Sequence, residues 1–379
     1  MLYSHYSLHS SNGIVRGERL CYFETCGRAV ENSLNILPSL SLFPAPDDWK
    51  MFAFGRPVAD VSENARIPLN MLPPGQESTA CWRSNVDEAL DTELHHVAER
   101  GDAAEVKGLL STEEGQASIN RRNDYGCMPL HLAAAQGHEE VIRLLVGTEA
   151  KLNFPDVKAQ TPVLLAVKGK HVGCVKVLLE AGANPNGWQN SLCTPLYQAA
   201  LDGSLEMVRE LVTHGADVDL SHIRVGLFVC TPLYAAIIHK RLDCFKFLLC
   251  SGADPNYNKN RVQKLFPGRA VQSFFHAVVK HKCPPEYAHL LMEFGADLFQ
   301  RDEMDKTAGD LHFKSDTVDY IKELAATPKT LKTTCRLFIR GTLGREKASR
   351  LPELPLPTKL VDYLMYIPEC GEVIDRTAV

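Results

Sequence analysis

One short unit, clearest at residues 194–217, constrains the fold more than any other feature of this sequence. It opens with Thr194-Pro195, which suits the first turn of a helix because the missing proline N–H would have no helical partner there. Leu196 and the alanine pair that follows it share one face at i, i+3 and i+4. A second apolar helix ends at Gly215, which can adopt the left-handed conformation. Neither helix can bury its apolar face alone, so the unit requires copies on both sides.

Such copies run through most of the chain. The position of Thr194 recurs at spacings of 36, 33, 33, 37, 41 and 35 residues, namely at Thr92, Met128, Thr161, Thr194, Thr231, Gln272 and Thr307. The end of the second helix recurs as glycine-alanine followed by Asn or Asp, at Gly182, Gly215, Gly252 and Gly295. This pattern resembles the ankyrin repeat, whose period is about 33 residues. The resemblance implies an all-α solenoid of about seven repeats.

The repeats are predicted to occupy residues 86–327, after an irregular leader over residues 1–85. The leader is rich in turn residues and is expected to be disordered; the alternative is a private docking segment around Trp49–Phe54. The longer spacings predict insertions at His222–Phe228 and Asn258–Ala270, the second of them basic. That basic run is either a solvated loop or a contact for an acidic partner. Glu149 stands where other copies have glycine, which predicts a different helix end or local strain.

Composition narrows the classes of function. The net charge is −5 with acids and bases interspersed, so no basic patch for nucleic acid or an anionic membrane is predicted. The sequence shows neither an apolar window of 18 residues nor a signal-peptide core, which favours a cytoplasmic protein, with the nucleus as a second location. Twelve cysteines without a C-x-x-C pair are expected to be reduced, buried thiols. His95, His96 and His131 lack the HExxH spacing and are expected to be structural, so neither a metal nor a cofactor is predicted.

The period changes at Pro328, where a different module begins. Four apolar residues at steps of four form one slanting helical stripe, namely Leu331, Cys335, Ile339 and Leu343. Thr330 is expected to cap this helix and Gly344 to end it, while Leu337 and Phe338 are expected to pack back onto the last repeat. An extended segment, Leu354–Pro357, and a short helix with Leu360 and Leu364 follow.

These three elements, in this order, resemble a SOCS box at residues 328–366, followed by a polar tail at 367–379. Residues 91–366 together resemble the ankyrin repeat and SOCS box family. The resemblance implies that elongin C is bound by Leu331, Cys335, Ile339 and Leu343. It implies that cullin five is selected by Leu354, Pro355, Leu356 and Pro357.

The family resemblance implies a function without catalysis in this chain. It would be the substrate-recognition adaptor of an E3 ubiquitin ligase, carrying elongin B, elongin C, cullin five and its RING protein, while the ankyrin groove holds an unknown protein substrate. The alternative is a non-enzymatic ankyrin scaffold whose last module only caps the array. Candidate residues for binding the substrate lie on hairpin tips between repeats: Asn123, Asp124, Tyr125, Lys158, Gln189, Asn190 and Val229.

Overall fold

A computed structural model describes residues 91–366, apart from residues 192, 222–230, 258–271, 303, 314 and 349–350. The leader, both predicted insertions, the candidate tip residue Val229 and the C-terminal tail lie outside the described residues. Within the described ranges every regular element is helical, which confirms the all-α prediction. No helix in this part of the chain is long and apolar enough to cross a membrane.

Six helix pairs stack along one continuous apolar core, and a seventh, reduced unit follows them. The pairs are Glu93–Arg100 (α1) with Ala103–Leu110 (α2), Pro129–Gln136 (α4) with Glu139–Val146 (α5), Pro162–Lys168 (α6) with Val172–Glu180 (α7), Pro195–Asp202 (α8) with Leu205–Thr213 (α9), Pro232–Ile238 (α10) with Leu242–Cys250 (α11), and Phe274–Lys280 (α12) with Pro285–Glu293 (α13). A further helix, Glu113–Ser118 (α3), follows the first pair and was not expected from the repeat pattern. The seventh unit has a single 3₁₀ turn, Ala308–Asp310, before Asp316–Ala326 (α14).

At most positions the first helix of a repeat begins at the residue that the sequence predicts. The Thr194 hydroxyl accepts the amide of Tyr197 (3.0 Å) at the start of α8, with Pro195 in the first helical position. The sixth start was predicted one residue early. Ser273 rather than Gln272 caps α12, because its hydroxyl accepts the amide of His276 (3.4 Å). Serine has a short side chain whose oxygen can accept an amide of the first helical turn, so Ser273 is the N-cap.

A ladder of side-chain hydrogen bonds joins one repeat to the next, near the ends of the second helices. In each step an Asn or Asp side-chain oxygen accepts a backbone amide from the following repeat. The steps are Asn120 to the Lys151 amide (2.8 Å), Asn153 to Asn184 (2.7 Å), Asn186 to Asp217 (2.8 Å), Asp219 to Asp254 (3.0 Å) and Asn256 to Asp297 (2.7 Å). These bonds satisfy amides that a helix end and loop would otherwise leave unpaired, and they fix the spacing of the solenoid.

Glu149 carries the strain that the sequence predicts. Its φ is +64°, in the left-handed region that Gly182 occupies (φ +89°) one repeat later. The left-handed conformation costs an L-residue roughly 1–2 kcal/mol. Glycine avoids this cost, but part of the gain is offset because glycine gives the unfolded chain more conformational freedom. We expect Glu149→Gly to raise the free energy of unfolding by about 0.5–1 kcal/mol, measured by urea titration. The mirror variant Gly182→Glu should lower it, and an unchanged or lower stability of Glu149→Gly would contradict the argument.

The C-terminal module is built on one long and one short helix. Leu331–Ala348 (α15) is two helical segments joined at Gly344, where φ is +74°, so the predicted break lies at that glycine. A 3₁₀ turn, Leu351–Glu353, and Thr358–Leu364 (α16) follow. Thr330 accepts the amide of Thr333 (3.2 Å), as predicted for the cap of α15. Leu351, Leu364 and Met365 form a small core of their own.

Candidate functional site

Helix α15 has two faces of different chemistry. One face packs on the repeats through Thr333, Arg336, Leu337 and Arg340. The other is open and apolar: Leu331 and Phe338 are 79% and 72% exposed, and Cys335 and Ile339 are exposed beside them. These four residues follow i, i+4, i+7 and i+8, the spacing of one helical face. A contiguous exposed apolar face of this kind marks an interaction surface.

Two residues of the module do not lie where the sequence reading placed them. Phe338 was expected to pack on the last repeat, but it faces solvent, because it lies seven residues after Leu331 on the same side of the helix. The i+7 spacing is visible in the sequence and could have placed it. Leu343, predicted to bind elongin C, is half-buried against the small core around Leu351. Leu337 does pack on the repeats, with its side chain against Gly295.

A buried cation attaches the module to the sixth repeat. The guanidinium of Arg336 forms an ion pair with Glu293, the last residue of α13. It also lies over the rings of Tyr363 (4.4 Å to the centroid) and Tyr366 (4.0 Å). A fully buried arginine is tolerated only when it is paired, and here the carboxylate and the two ring faces supply the compensation. Arg336 therefore holds α15, α16 with the residues that follow it, and the sixth repeat together.

Tyr366 and Arg340 complete this attachment. The Tyr366 ring stacks on Phe294 with centroids 3.7 Å apart, and its hydroxyl donates to the Glu293 carbonyl (3.1 Å). Arg340 donates to the carbonyls of Leu364 (2.8 Å) and Cys250 (3.4 Å), the second of which ends α11 in the fifth repeat. Burial lowers the pKa of Arg340 and raises that of Tyr366 to about 12. The module is thus anchored on the ends of two repeats.

The segment Leu354–Pro357 is exposed along its whole length. It is bent rather than extended throughout, because the Leu356 amide donates to the Leu354 carbonyl (2.7 Å) and closes a three-residue turn. Leu354 and Leu356 keep part of their side chains in solvent. The two prolines fix φ and carry no N–H, so the turn presents apolar side chains on a backbone with few donors.

Histidines near the starts of the first helices connect the first, second and sixth repeats to the hairpin that follows each of them. Nδ1 of His131 accepts the Met128 amide (3.1 Å), and Nε2 donates to the Phe154 carbonyl (2.9 Å). His95 and His276 repeat the arrangement with the carbonyls of Cys127 (3.1 Å) and Lys306 (3.0 Å). Burial lowers the pKa of each ring, in His131 to about 4. The neutral ring, with one nitrogen accepting and the other donating, is the form that fits.

The candidate tip residues lie in hairpins with ordered backbones. The Asn123 side-chain oxygen accepts the amides of Tyr125 (3.1 Å) and Cys127 (2.9 Å), which shapes the hairpin and gives Asn123 a structural part. The Asp124, Tyr125, Lys158 and Gln189 side chains are exposed, and Asn190 is half-buried. Val157, which the sequence reading did not select, is exposed at the tip beside Lys158.

Burial affects four of the thiols in the described part of the chain. Burial raises the pKa of Cys127, Cys174, Cys244 and Cys283 to about 11, so these thiols stay protonated at neutral pH. Among the same residues no group of three or more His, Cys, Asp or Glu is placed to hold a metal ion.

An array of stacked helix pairs with an anchored C-terminal module and an exposed apolar helix face defines a repeat-type interaction protein with a separate docking module. Comparison with known families agrees with this class. The family described as "Ankyrin repeats (3 copies)" matches residues 94–189, 148–222 and 187–259, and the SOCS box family matches residues 327–365. The chain belongs to the ankyrin repeat and SOCS box proteins.

Two relatives align with most of this chain and over most of their own length. Mouse ankyrin repeat and SOCS box protein 1 is 33% identical over 298 residues, which are 73% of this chain and 88% of the relative. Mouse ankyrin repeat and SOCS box protein 12 is 34% identical, covering 72% and 90%. A crystal structure of the human ASB11 ankyrin repeat domain aligns with 63% of this chain and all of that chain, at 27% identity and a TM-score of 0.51. The predicted family and repeat fold are confirmed.

Proposed function

We propose that this chain is the substrate-recognition subunit of an elongin B/C–cullin five–RING ubiquitin ligase. Membership of the ankyrin repeat and SOCS box family implies a ligase substrate adaptor. The observation that carries the finer proposal is the open face of α15, where Leu331, Cys335 and Ile339 point away from the repeats. A module that only capped the array would gain nothing from a second apolar face in water.

In this proposal elongin C covers the open face, with Phe338 added to the residues taken from the sequence. Leu343 supports the face from behind, since it lies in the small core around Leu351. Cullin five contacts the exposed turn at Leu354, Pro355, Leu356 and Pro357. The cullin in turn brings the RING protein and a charged ubiquitin-conjugating enzyme, so this chain supplies neither a nucleophile nor a base.

The chain's contribution to ubiquitin transfer is proximity. Holding the substrate and the thioester in one complex turns a bimolecular encounter into an effectively intramolecular step. The anchorage of the module through Arg336 and Arg340 supports this role, because it fixes the direction in which α15 leaves the repeats. A substrate bound to the repeats would then keep a fixed orientation relative to the ubiquitin-conjugating enzyme.

The test is co-purification of the co-expressed chain with elongins B and C and cullin five. We expect Leu331→Ala combined with Cys335→Ala to abolish elongin binding, because central apolar contacts contribute about 2 kcal/mol or more each. Replacement of Leu354–Pro357 by alanine should keep the elongins and lose the cullin. The control Phe299→Ala with Met304→Ala removes side chains that are similarly exposed, at 66% and 69%, in the hairpin before the seventh repeat.

Elongin binding that survives the Leu331/Cys335 double substitution would refute the assignment. If the unmodified chain binds no elongin, the ankyrin scaffold with a capping module becomes the better description. Circular dichroism of each variant, compared with the unmodified chain, separates loss of binding from loss of folding.

A further inference from the structure

The hairpin tips that precede α4 and α6 place an apolar pair in water. Tyr125 and Val157 are each 61% exposed. They belong to one surface, since the Val157 amide donates to the Tyr125 carbonyl (3.1 Å) and the Val157 side chain packs over Gly126, where a Cβ would come within 3.1 Å of it. Two repeats therefore contribute one side chain each to the same apolar spot.

A third apolar group, Phe154, lies beside them with cations over its ring. The Arg122 guanidinium carbon is 5.5 Å from the ring centroid and the Lys151 ammonium is 5.2 Å away. Arg122 is held in place by two backbone oxygens, those of Gly126 (3.1 Å) and Pro155 (3.2 Å). Together with Lys158 at the end of the second hairpin, these groups form one surface, the tip patch: Arg122, Tyr125, Lys151, Phe154, Val157 and Lys158.

Charge on this surface is unevenly placed. Residues 121–126 and 151–158 carry four cations and two aspartates. One of the two, Asp156, is buried, and its oxygen accepts the amides of Lys158 (2.8 Å) and Gln160 (2.8 Å), so it shapes the hairpin and presents little charge to solvent. The other, Asp124, is exposed beside Tyr125 at the first tip. Asp91, which accepts a hydrogen bond from Asn123 (2.8 Å), lies toward the first repeat. The four cations outnumber the one exposed aspartate, so the surface around the apolar pair is net positive.

We propose that the substrate docks on the tip patch and does so through an acidic segment that carries a bulky apolar side chain. Its carboxylates would lie against Lys151, Lys158 and the Arg122 guanidinium, and its apolar side chain against Tyr125 and Val157. Tyrosine and arginine are the side chains that most often dominate protein interfaces, and opposite charge around an apolar centre adds rate and specificity. This inference rests on the proposed function, in which the repeats hold the substrate.

The experiment is selection of peptides from a random library displayed on phage, using the purified full chain as bait. We expect the enriched peptides to combine Asp or Glu with a neighbouring Leu, Phe or Trp. The strongest peptide is then synthesised twice, once as selected and once with its Glu and Asp replaced by Gln and Asn. The amide version should bind at least about tenfold more weakly, and the difference should shrink as salt is added.

Matched variants locate the peptide on the surface. Tyr125→Ser with Val157→Ser, and separately Lys151→Glu with Lys158→Glu, should each weaken binding by about tenfold or more. The control pair Phe299→Ser with Met304→Ser, at hairpin positions of similar exposure, should bind as the unmodified chain does. Enriched peptides without an excess of acid, equal binding of the amide version, or variants that bind as well as the unmodified chain would each overturn the proposal.

Elongin co-purification separates this inference from the proposed function. The tip-patch variants should retain elongins B and C, while the Leu331/Cys335 variant should retain the peptide. If the chain binds elongins but shows no preference for acidic peptides at the tip patch, only the tip-patch proposal is wrong. If the acidic peptides bind at the tip patch but no elongin binds, the ligase role is wrong and the chain is a receptor for acidic segments.

Discussion

Replacing Arg336 by alanine is expected to release the C-terminal module from the repeats and to cost about 3 kcal/mol of stability, the lower end of what removal of one partner from a buried ion pair costs. Arg336 is buried, and its loss leaves the Glu293 carboxylate without its charged partner and opens a gap between Tyr363 and Tyr366. Hydrogen–deuterium exchange of α15 and the thermal midpoint measure the effect. Exchange in α6 and α7, remote in the array, serves as the internal reference.

Conservative variants show which property of Arg336 matters. Arg336→Lys keeps the charge but not the planar group that lies over two rings, so we expect an intermediate loss of protection. Glu293→Gln leaves the cation buried without its carboxylate and should destabilise the same attachment. Unchanged exchange in α15 of Arg336→Ala would show that Leu337, Arg340 and the Phe294–Tyr366 stack suffice to hold the module.

The attachment bears directly on the proposed ligase role. An Arg336→Ala chain keeps the open face with Leu331 and Phe338, so it should still bind elongins. Its module would no longer leave the repeats in one direction. We therefore infer that substrate ubiquitination falls more than elongin binding does, a split that a variant of the open face itself would not produce.

The repeats could be predicted from the sequence because their information is local. A helix pair is encoded by apolar residues three and four apart, a cap such as Thr194 and a left-handed glycine such as Gly215, all within one unit. The errors there were small: Ser273 and not Gln272 caps α12, since a serine oxygen was available one residue on. Helix α3, for which Thr112 provides the cap, belongs to no repeat and so left no periodic signal.

The attachment of the C-terminal module could not be predicted in the same way. Arginine is expected at the surface, and nothing in the sequence around Arg336 shows that Glu293, 43 residues earlier, will meet it. The sequence reading therefore gave the docking role to Leu337 and Phe338, of which only Leu337 has it. The sequence reading did select Tyr125 and Lys158 as tip residues. It could not join Tyr125 to Val157, because the two become neighbours only after two repeats stack.

Acidification is expected to destabilise the array through the buried histidines that link its repeats. In His131, Nδ1 faces the Met128 N–H and therefore has no room for a proton of its own. Burial lowers the pKa of this ring from 6.5 to about 4, so the unfolded chain takes up a proton that the folded chain refuses. The resulting stability is complete above pH 6.5 and is lost as the pH falls toward 4.

Between pH 7.5 and 5.5, protonation of His131 in the unfolded chain should lower the free energy of unfolding by about 1 kcal/mol. The pKa values of His95 and His276 are shifted in the same direction. Urea titrations at the two pH values measure the difference. His131→Gln should be less stable at pH 7.5, but its stability should depend less on pH by roughly the contribution of His131. His96→Gln, on the exposed side of α1, controls for the removal of a histidine as such and should keep the full difference in stability between the two pH values. This pH window lies above the range in which most carboxylates titrate, so a stability that is flat across it would show that the rings are not held neutral by the hairpins.

Because each ring spans two repeats, the loss of stability should appear as an uncoupling of neighbouring repeats. As the pH falls, hydrogen–deuterium exchange should therefore increase earlier in α4 and α6 than in α15.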